Sequence, residues 1–268
     1  MRKPAAIIAA IFVTFALVYF TTARELGGSP DIVMLPPSPS PSPVPNPDPA
    51  QYLDTYAEEE LPVVYISLEV IDSPYMIGDT IALGGFDWRV IDIRAGRVLV
   101  LSENVLSRRV WHHEQTTLSW EFSDIREYLN GSFYYSAFTD EEKERIIETT
   151  VVNPANSWYG AAGPGRETID RVFLLSAEEV VQYLGDSGKF SRPGRPDSFL
   201  SDQYDSARVA RDLETNVASW WWLRTTGHHL NPNLHASAVA VGGAGEVFLY
   251  GLYVIMDGGV RPAMWLSF

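Results

Sequence analysis

The chain of 268 residues contains no cysteine. A disulfide framework, a thiol nucleophile and any metal site built on cysteine are therefore excluded. Export from the cell is not excluded, because 46% of the residues are hydrophobic and 12% are aromatic. A chain of this size and composition can bury a core that is stable without disulfide bonds.

Basic residues are also few. The sequence has 20 lysines and arginines against 34 aspartates and glutamates, and its net charge is −14. Two of the basic residues, Arg2 and Lys3, stand at the N-terminus, so the remainder is more acidic still. Nucleic acids are excluded as partners because phosphate binding needs a basic surface. Nucleotides are excluded because no glycine-rich phosphate loop follows a predicted strand and opens a helix.

A complete catalytic motif is missing as well. The segment Gly185-Asp186-Ser187-Gly188 resembles the nucleophile segment of serine proteases, but Lys189 stands where a third glycine is needed. A serine nucleophile also requires a base within hydrogen-bonding distance, itself oriented by a third group. We therefore assign no catalytic residue, and the sequence favours a binding protein over an enzyme.

The longest apolar run lies near the N-terminus, from Ala5 to Phe20, and can be extended to Ala23. Its uninterrupted part is shorter than the roughly 20 residues that span a bilayer as a helix. The two N-terminal basic residues precede the run, and positive charge stays on the cytoplasmic side of a membrane. We predict a signal-anchor within residues 1–23, which contacts the membrane through residues 5–23.

A cleaved signal peptide is the alternative for this segment. Cleavage after Ala23 would place Thr21 at the −3 position, where signal peptides carry a small residue. The protein is therefore predicted to be a single-pass membrane protein with its bulk outside the cytoplasm, or a secreted protein if the leader is cleaved.

Residues 24–61 are predicted to form a disordered stalk. They include the alternating segment Pro36-Pro37-Ser38-Pro39-Ser40-Pro41-Ser42-Pro43, and such a composition favours an extended, polyproline-like chain without a core. Residues 62–268 have the apolar patterning of a globular domain, which the stalk would hold away from the membrane.

The domain has an α+β pattern, with short antiparallel strands at both ends, two or three helices between them and a long loop region over 185–218. Glycine-containing turns at Gly84-Gly85, Ala95-Gly96 and Gly242-Gly243 predict three hairpins. The predicted strands are 63–70, 81–83, 87–93, 97–101, 173–175, 220–224, 236–241, 246–250 and 260–266.

Three helices are predicted from capping residues at their N-termini. A Ser or Thr hydroxyl there accepts a backbone hydrogen bond, and a Glu three residues later returns one. The helices are 124–129 with Ser123 as cap, a helix to about Ile147 with Thr139 and Glu142, and a helix to about Leu184 with Ser176 and Glu179.

Five blocks of the sequence, in order, resemble those of one bacterial family. The blocks are Gly84–Asp92, Trp120–Phe138, Thr168–Ser176, Trp221–Gly227 and Gly259–Ala263. Tyr128 replaces a tryptophan of the family pattern, and Thr225-Thr226 replaces a Ser-Pro pair. Over about residues 78–268 the chain thus resembles the family called domain of unknown function 6273.

The resemblance implies a C-type-lectin-like fold, in which the N- and C-terminal strands pair and a long loop region carries the ligand contacts. It implies no activity. Four arginines lie within the family blocks: Arg89, Arg126, Arg224 and Arg261. We interpret them as structural arginines in ion pairs, with Glu103, Asp92, Asp124 and Asp170 as possible partners. An anion site lined by arginines is the alternative.

Ligand contacts are expected from side chains of the predicted loops. Aromatic side chains there suit stacking on sugars or capture of peptide side chains. The Asn231-Pro232-Asn233 triplet resembles a calcium- and sugar-binding triplet of lectins, although an acidic cluster is missing nearby. The candidate ligand-binding residues are Trp158, Tyr159, Trp220, His228, Asn231 and Asn233.

The expected function is therefore the binding of an extracellular ligand, a cell-wall glycan, a peptide or a protein. No cofactor is predicted, and calcium or zinc remain open. One alternative is an envelope enzyme that uses His228, His229 or His235 with Asp257, and such a group would also be a possible zinc site. The other alternative is a structural or assembly module.

Overall fold

The computed structural model describes residues 72–115, 119–159, 165–191, 199–228 and 236–268. The predicted N-terminal membrane segment, the stalk and the strand predicted at 63–70 lie outside these residues. No helix of the described ranges has the length and apolar character needed to cross a bilayer. The described domain is a mixed α+β structure built on two five-stranded sheets.

The first sheet joins the beginning of the domain to its end. Its strands, in spatial order, are β1 (Thr80–Leu83), β2 (Phe86–Arg94), β3 (Arg97–Ser102), β14 (Ala263–Ser267) and β5 (Ile146–Ile147). The two predicted hairpins are confirmed, because β1 pairs antiparallel with β2 and β2 with β3. Strand β14 lies between β3 and β5 and pairs antiparallel with both.

The second sheet contains the tryptophan block. Its strands, in spatial order, are β12 (Val247–Tyr253), β11 (Ser237–Val241), β10 (Trp221–Thr226), β13 (Gly258–Val260) and β4 (Ser107–Arg109). The predicted β11–β12 hairpin is confirmed. Two small sheets complete the strands: β6 (Thr149–Val151) with β7 (Thr168–Asp170), and β8 (Ala210–Arg211) with β9 (Ala218–Ser219).

The prediction of one strand over 260–266 is wrong, because Arg261-Pro262 separates two strands. Strand β13 pairs with β10 and β4 in the second sheet, whereas β14 belongs to the first. Proline has no N–H to donate to a ladder, but the Pro262 carbonyl accepts from the Ser102 N–H at 2.9 Å. This block therefore carries the chain from one sheet into the other.

Packing at β13 requires glycine. A Cβ atom on Gly259 would collide with the Trp220 carbonyl and the Val105 side chain. The parallel pairing of Gly259 with Trp221 is thus possible only because the backbone has no side chain at this point.

Trp221 and Trp222 both lie in the core, although neighbouring residues of a strand point to opposite faces of the sheet. Both are 0% exposed, because both faces of β10 are covered. Each buried indole N–H has an acceptor: Trp221 Nε1 donates to the Arg208 carbonyl at 3.2 Å and Trp222 Nε1 to the Arg109 carbonyl at 3.0 Å. The block is central to the domain.

The helices are short. They are α1 (Asp124–Tyr128), α2 (Tyr134–Ala137), α3 (Asp140–Arg145), α4 (Ala177–Leu184) and α5 (Asp205–Arg208). The cap at Ser123 and both capping boxes are confirmed. The predicted end of the first helix is confirmed: α1 ends at Tyr128, and in the turn over Leu129–Phe133 that follows, Gly131 has non-helical backbone angles that separate α1 from α2. The second helix ends at Arg145 rather than Ile147, since Ile146 and Ile147 form β5 beside β14.

Two other regions differ from their predictions, the strand predicted at 173–175 and the loop predicted at 185–218. The segment 173–175 makes one β-bridge, Phe173 to Ala263, and is otherwise irregular although buried. The region 185–218, predicted as a loop, contains α5, β8 and β9 in its described part.

Arg208 holds this region together. Its side chain is 0% exposed, as is that of Asp202, and Arg208 Nη1 lies 3.0 Å from Asp202 Oδ1. Arg208 Nη1 also donates to Asp205 at 3.1 Å, and Nη2 donates to the Gly185 carbonyl at 2.7 Å. No motif of the sequence indicated this arginine, which lies outside the family blocks.

The pair predicts a dependence of stability on pH. Burial opposes ionisation of Asp202, but hydrogen bonds from Arg208, Ser187 and the Tyr204 N–H outweigh it and lower the pKa of Asp202. A carboxyl group whose pKa is lower in the folded state stabilises the protein above its unfolded pKa, about 4, and loses that effect as the pH falls. We expect the difference in unfolding free energy between wild type and Asp202→Asn to shrink below about pH 4.

Urea unfolding of both proteins at pH 7 and pH 3 measures this difference. Asp257→Asn, at a carboxylate that is 66% exposed, serves as the control. An Asp202→Asn difference that is equal at both pH values would contradict the prediction.

Candidate functional site

A cleft on the first sheet is the candidate site. We call it the Trp265 cleft, and it has a volume of about 450 Å³. This volume suits a small ligand or the end of a larger one. The lining includes Arg94, Arg97, Glu148, Glu179, Tyr183 and Trp265.

Two arginines lie over one tryptophan in this cleft. The guanidinium carbons of Arg94 and Arg97 are 5.0 and 4.7 Å from the centroid of the Trp265 ring. Strand register explains the arrangement, because Arg94 and Arg97 are partners across the turn between β2 and β3, and β14 is the next strand. Like charges directly opposite on a sheet repel each other, and the ring offsets part of that cost through cation–π attraction.

The charges around the cleft are paired with one exception. Arg94 Nε lies 3.0 Å from Asp92 Oδ2, and Glu148 lies 2.6 Å from Arg171. Glu179 accepts hydrogen bonds from both terminal nitrogens of Arg224. Arg97 makes no ion pair with any residue of the described ranges. The cleft therefore carries a net positive charge, at Arg97.

Tyr183 provides a hydroxyl at the same cleft. Its Oη donates to Asp92 Oδ2 at 3.3 Å. Burial, together with the negative charges of Asp92 and Glu179, raises the pKa of Tyr183 to about 12. The phenol is therefore protonated at neutral pH, and because its one proton is donated to Asp92, it offers a ligand in the cleft the lone pairs of its oxygen.

Arg224 and Arg126 are tied to buried carboxylates. Arg224, whose side chain is 2% exposed, pairs with Glu179 and also donates to the Leu174 carbonyl at 2.7 Å and the Val152 carbonyl at 2.9 Å. Arg126 Nε donates to Asp170 Oδ1 at 2.6 Å, and the Asp170 side chain is 0% exposed. Both arginines connect elements that are distant in sequence.

Arg89 and Arg261 differ from each other in their partners. Arg89 pairs with Glu103 at the half-exposed face of β2. Arg261 is 0% exposed and has no carboxylate partner among the described residues. Its Nε donates to the Ser102 carbonyl at 2.9 Å, and its guanidinium lies 5.0 Å from the Trp221 ring. Burial lowers the pKa of Arg261 to about 9, so the side chain is still charged at neutral pH.

Two of the predicted ligand-binding residues meet in space. The rings of Tyr159 and His228 are 4.7 Å apart, and Tyr250 lies 5.6 and 5.2 Å from them. Asn156 fixes this loop, because its Nδ2 donates to the Leu249 carbonyl at 2.8 Å and its Oδ1 accepts from the Trp158 and Tyr159 N–H groups.

The other predicted ligand-binding residues lie elsewhere. Trp158 Nε1 donates to the Phe190 carbonyl at 2.9 Å. Trp220 packs against Trp222 at 4.9 Å between ring centroids, under the guanidinium of Arg108. Asn231 and Asn233 lie outside the described residues.

The comparisons with known proteins give one match. A model of the family described as domain of unknown function, DUF6273, matches residues 95–268. This chain belongs to the DUF6273 family. No curated protein and no solved structure matches the chain. The Gly84–Asp92 block, which also resembles the family pattern, lies before the matched range.

Most of the Trp265 cleft lies within the DUF6273 match. Arg97, Glu148, Glu179, Tyr183 and Trp265 are all in the matched range, whereas Arg94 precedes it by one residue. The sequence did not indicate these residues as a site, because they come from four separate segments. The only local signal was the cross-turn arrangement of two arginines at the Ala95-Gly96 turn.

The metal site considered around His228 lies only partly within the described residues, because His229 and His235 fall outside them. Asp257, its acidic member, lies 3.3 Å from Arg108 Nε. Within the described part of the DUF6273 domain, one group of three potential metal ligands has closely spaced donor atoms: His112, His113 and Asp124.

Proposed function

We propose that this DUF6273 protein is an exported ligand-binding domain that holds a carboxylate-bearing ligand in the Trp265 cleft. The observation that carries the proposal is the guanidinium of Arg97, which lies over Trp265 and has no ion pair with a described residue. An arginine binds a carboxylate through two parallel hydrogen bonds. The ligand would supply the anion that this arginine lacks.

The remaining groups of the cleft define the rest of the ligand. Glu148 and Glu179 are already paired with arginines outside the lining, so they do not repel an incoming anion as free carboxylates would. Tyr183 and Thr149 offer hydroxyl groups. A ligand with an acidic group beside several hydroxyls or amides matches this set, as in an acidic wall glycan or the carboxylate end of a peptide.

We also propose that the fold is C-type-lectin-like and that the domain stands outside the membrane on its stalk. The fold proposal is supported by the position of β14, which lies in the same sheet as β1, β2 and β3. The location is supported by the N-terminal apolar run and the Pro/Ser-rich segment of the sequence. Binding of wall fragments would follow from such a position.

We expect Arg97→Ala to weaken ligand binding by about 10- to 150-fold, since hydrogen bonds to charged groups contribute about 1.5–3 kcal/mol. Binding of the full chain to an array of glycans, peptides and cell-wall fragments, with and without calcium, identifies the ligand. Titration calorimetry with the best binder then compares wild type and variant. Binding should also weaken when the carboxylate of that ligand is amidated.

Arg211→Ala is the matched control, because Arg211 is an exposed arginine on β8, remote in sequence from every cleft residue. Arg97→Lys should restore part of the affinity, since lysine keeps the charge but not the two-pronged geometry. Equal binding by wild type and Arg97→Ala would overturn the assignment of the cleft. An array on which nothing binds would overturn the ligand-binding function and favour an assembly module.

A further inference from the structure

Two consecutive histidines and an aspartate form a compact group. His112 and His113 follow β4 along the chain, and Asp124 is the first residue of α1. One donor atom from each of the three residues lies within 4.8 Å of the other two. The rings of His112 and His113 are 4.5 Å apart between centroids. None of these residues belongs to the Trp265 cleft.

The backbone on both sides of the group is fixed. The N–H groups of Trp111 and His112 both donate to the Val254 carbonyl, at 2.8 and 3.1 Å. The Trp111 carbonyl accepts from the Ile125 N–H at 3.2 Å, which ties the histidines to the start of α1. Trp111 itself is 0% exposed. The three side chains are therefore held near one another by a rigid part of the core.

His112 has a buried nitrogen without a hydrogen bond. Its side chain is 9% exposed, and its Nδ1 lies 2.8 Å from Asp124 Oδ1. The contact lacks hydrogen-bond geometry, and Nδ1 has no other hydrogen-bond partner among the described residues. A buried polar atom without a partner costs free energy. Two ligands of one metal ion, by contrast, lie close together without donating to each other.

His113 approaches the same carboxylate. Its Nδ1 lies 2.7 Å from Asp124 Oδ2, and its backbone N–H donates to that oxygen at 2.9 Å. On the other edge of the ring, Nε2 lies 3.6 Å from Glu114 Oε1. Histidines that bind a metal through one nitrogen commonly donate the other N–H to a carboxylate, which fixes the orientation of the ring. Glu114 would take that role once this 3.6 Å separation closed to hydrogen-bond distance.

We propose that His112, His113 and Asp124 form a zinc site. Two imidazoles and one carboxylate are ligands that zinc accepts, whereas calcium and magnesium prefer sets of oxygen atoms. Each histidine would bind through Nδ1, the nitrogen that faces Asp124. Three protein ligands leave one tetrahedral position open to water or to an outside ligand. Since His113 is 64% exposed at the side chain, this open position can be reached from solvent.

The donor atoms lie slightly closer together than the ligands of a bound zinc ion do. Ligand atoms about 2.0–2.1 Å from a tetrahedral zinc ion are about 3.3 Å from one another. The carboxylate oxygens of Asp124 lie 2.8 and 2.7 Å from the two Nδ1 atoms. Each of the two contacts would lengthen by about half an ångström to admit the ion. The exposed His113 ring can turn to lengthen its own contact, and the contact with His112 opens by movement of the Asp124 carboxylate.

Zinc binding to the purified full chain, stripped of metal by a chelator, tests the proposal. Titration with zinc chloride against a competing colorimetric chelator should show one site per chain. His113→Ala and Asp124→Asn should each weaken it by at least about 100-fold, because even loss of an outer-sphere partner costs 10- to 100-fold. His228→Ala, the matched histidine control, should bind zinc as wild type does.

Several results would overturn the proposal. The first is that the wild-type protein binds no zinc in competition with the chelator. The second is that His113→Ala binds zinc as tightly as wild type, and the third is that His228→Ala loses the site. Asp124→Asn removes a helix-terminal carboxylate, so urea unfolding must first show that the variant is folded. X-ray absorption of the zinc complex gives an independent readout: we expect two imidazole nitrogens at about 2.0–2.1 Å, and a spectrum without imidazole scattering would contradict the site.

Discussion

Arg224→Met is expected to lower the free energy of unfolding by about 3–5 kcal/mol, the range for breaking a buried ion pair from one side. The substitution leaves the Glu179 carboxylate without its arginine and frees the carbonyls of Leu174 and Val152. Glu179 also closes the capping box of α4 by accepting from the Ser176 N–H at 2.9 Å. The loss therefore reaches β10, α4 and the segment after β6 together.

Urea unfolding of wild type and variant measures this effect. Arg166→Met is the matched control: its side chain is 83% exposed and its nearest carboxylate, Glu121, is 4.0 Å away, so a change below about 1 kcal/mol is expected. The double variant Arg224→Met/Glu179→Gln should lose less unfolding free energy than the two single variants lose together, because both substitutions remove the same ion pair. A loss of less than 1 kcal/mol in Arg224→Met would show that the pair is not structural.

Asp170→Ala is expected to cost about 3 kcal/mol, near the lower end of the range for a broken buried pair. Asp170 accepts from Arg126 Nε at 2.6 Å, Trp120 Nε1 at 2.8 Å and Thr168 Oγ1 at 2.7 Å. Its removal leaves a buried indole N–H without an acceptor. The lower end applies because the Arg126 side chain is 25% exposed and can regain water.

The same unfolding measurement, with Asp257→Ala as control, tests this second expectation. Asp257 also lies beside an arginine, but its side chain is 66% exposed, so its loss should change stability by less than about 1 kcal/mol. Asp170→Asn keeps the shape of the side chain and two of the possible acceptor contacts. We expect its free energy of unfolding to lie between those of wild type and Asp170→Ala. Equal stability of Asp170→Ala and Asp257→Ala would contradict the role of Asp170.

Local elements of the domain could be predicted because their causes are local. The capping boxes at Thr139 and Ser176 need only residues three positions apart. The hairpins need a glycine turn between two apolar runs. The errors arose where a distant partner decides the structure. Ile146 and Ile147 read as the end of a helix, but β14 captures them as a strand.

The candidate sites were less predictable for the same reason. The Trp265 cleft combines side chains from β2, β3, α4 and β14, and no sequence pattern states that these elements meet. Glu179 was identified as a capping residue, yet it is also the partner of Arg224. His112 and His113 stand out as a pair in the sequence, but their relation to Asp124 depends on the backbone contact between Trp111 and Ile125.

The position of β13 and β14 has a consequence for biosynthesis. Each lies inside its sheet rather than at an edge, and Arg261 donates to a carbonyl 159 positions earlier in the chain. Neither sheet can therefore close until the ribosome has made residues 258–267. Such long-range closure makes folding slow and leaves strand edges open in the nascent chain. A ribosome that stopped short of Gly258 would release a chain in which neither five-stranded sheet is complete.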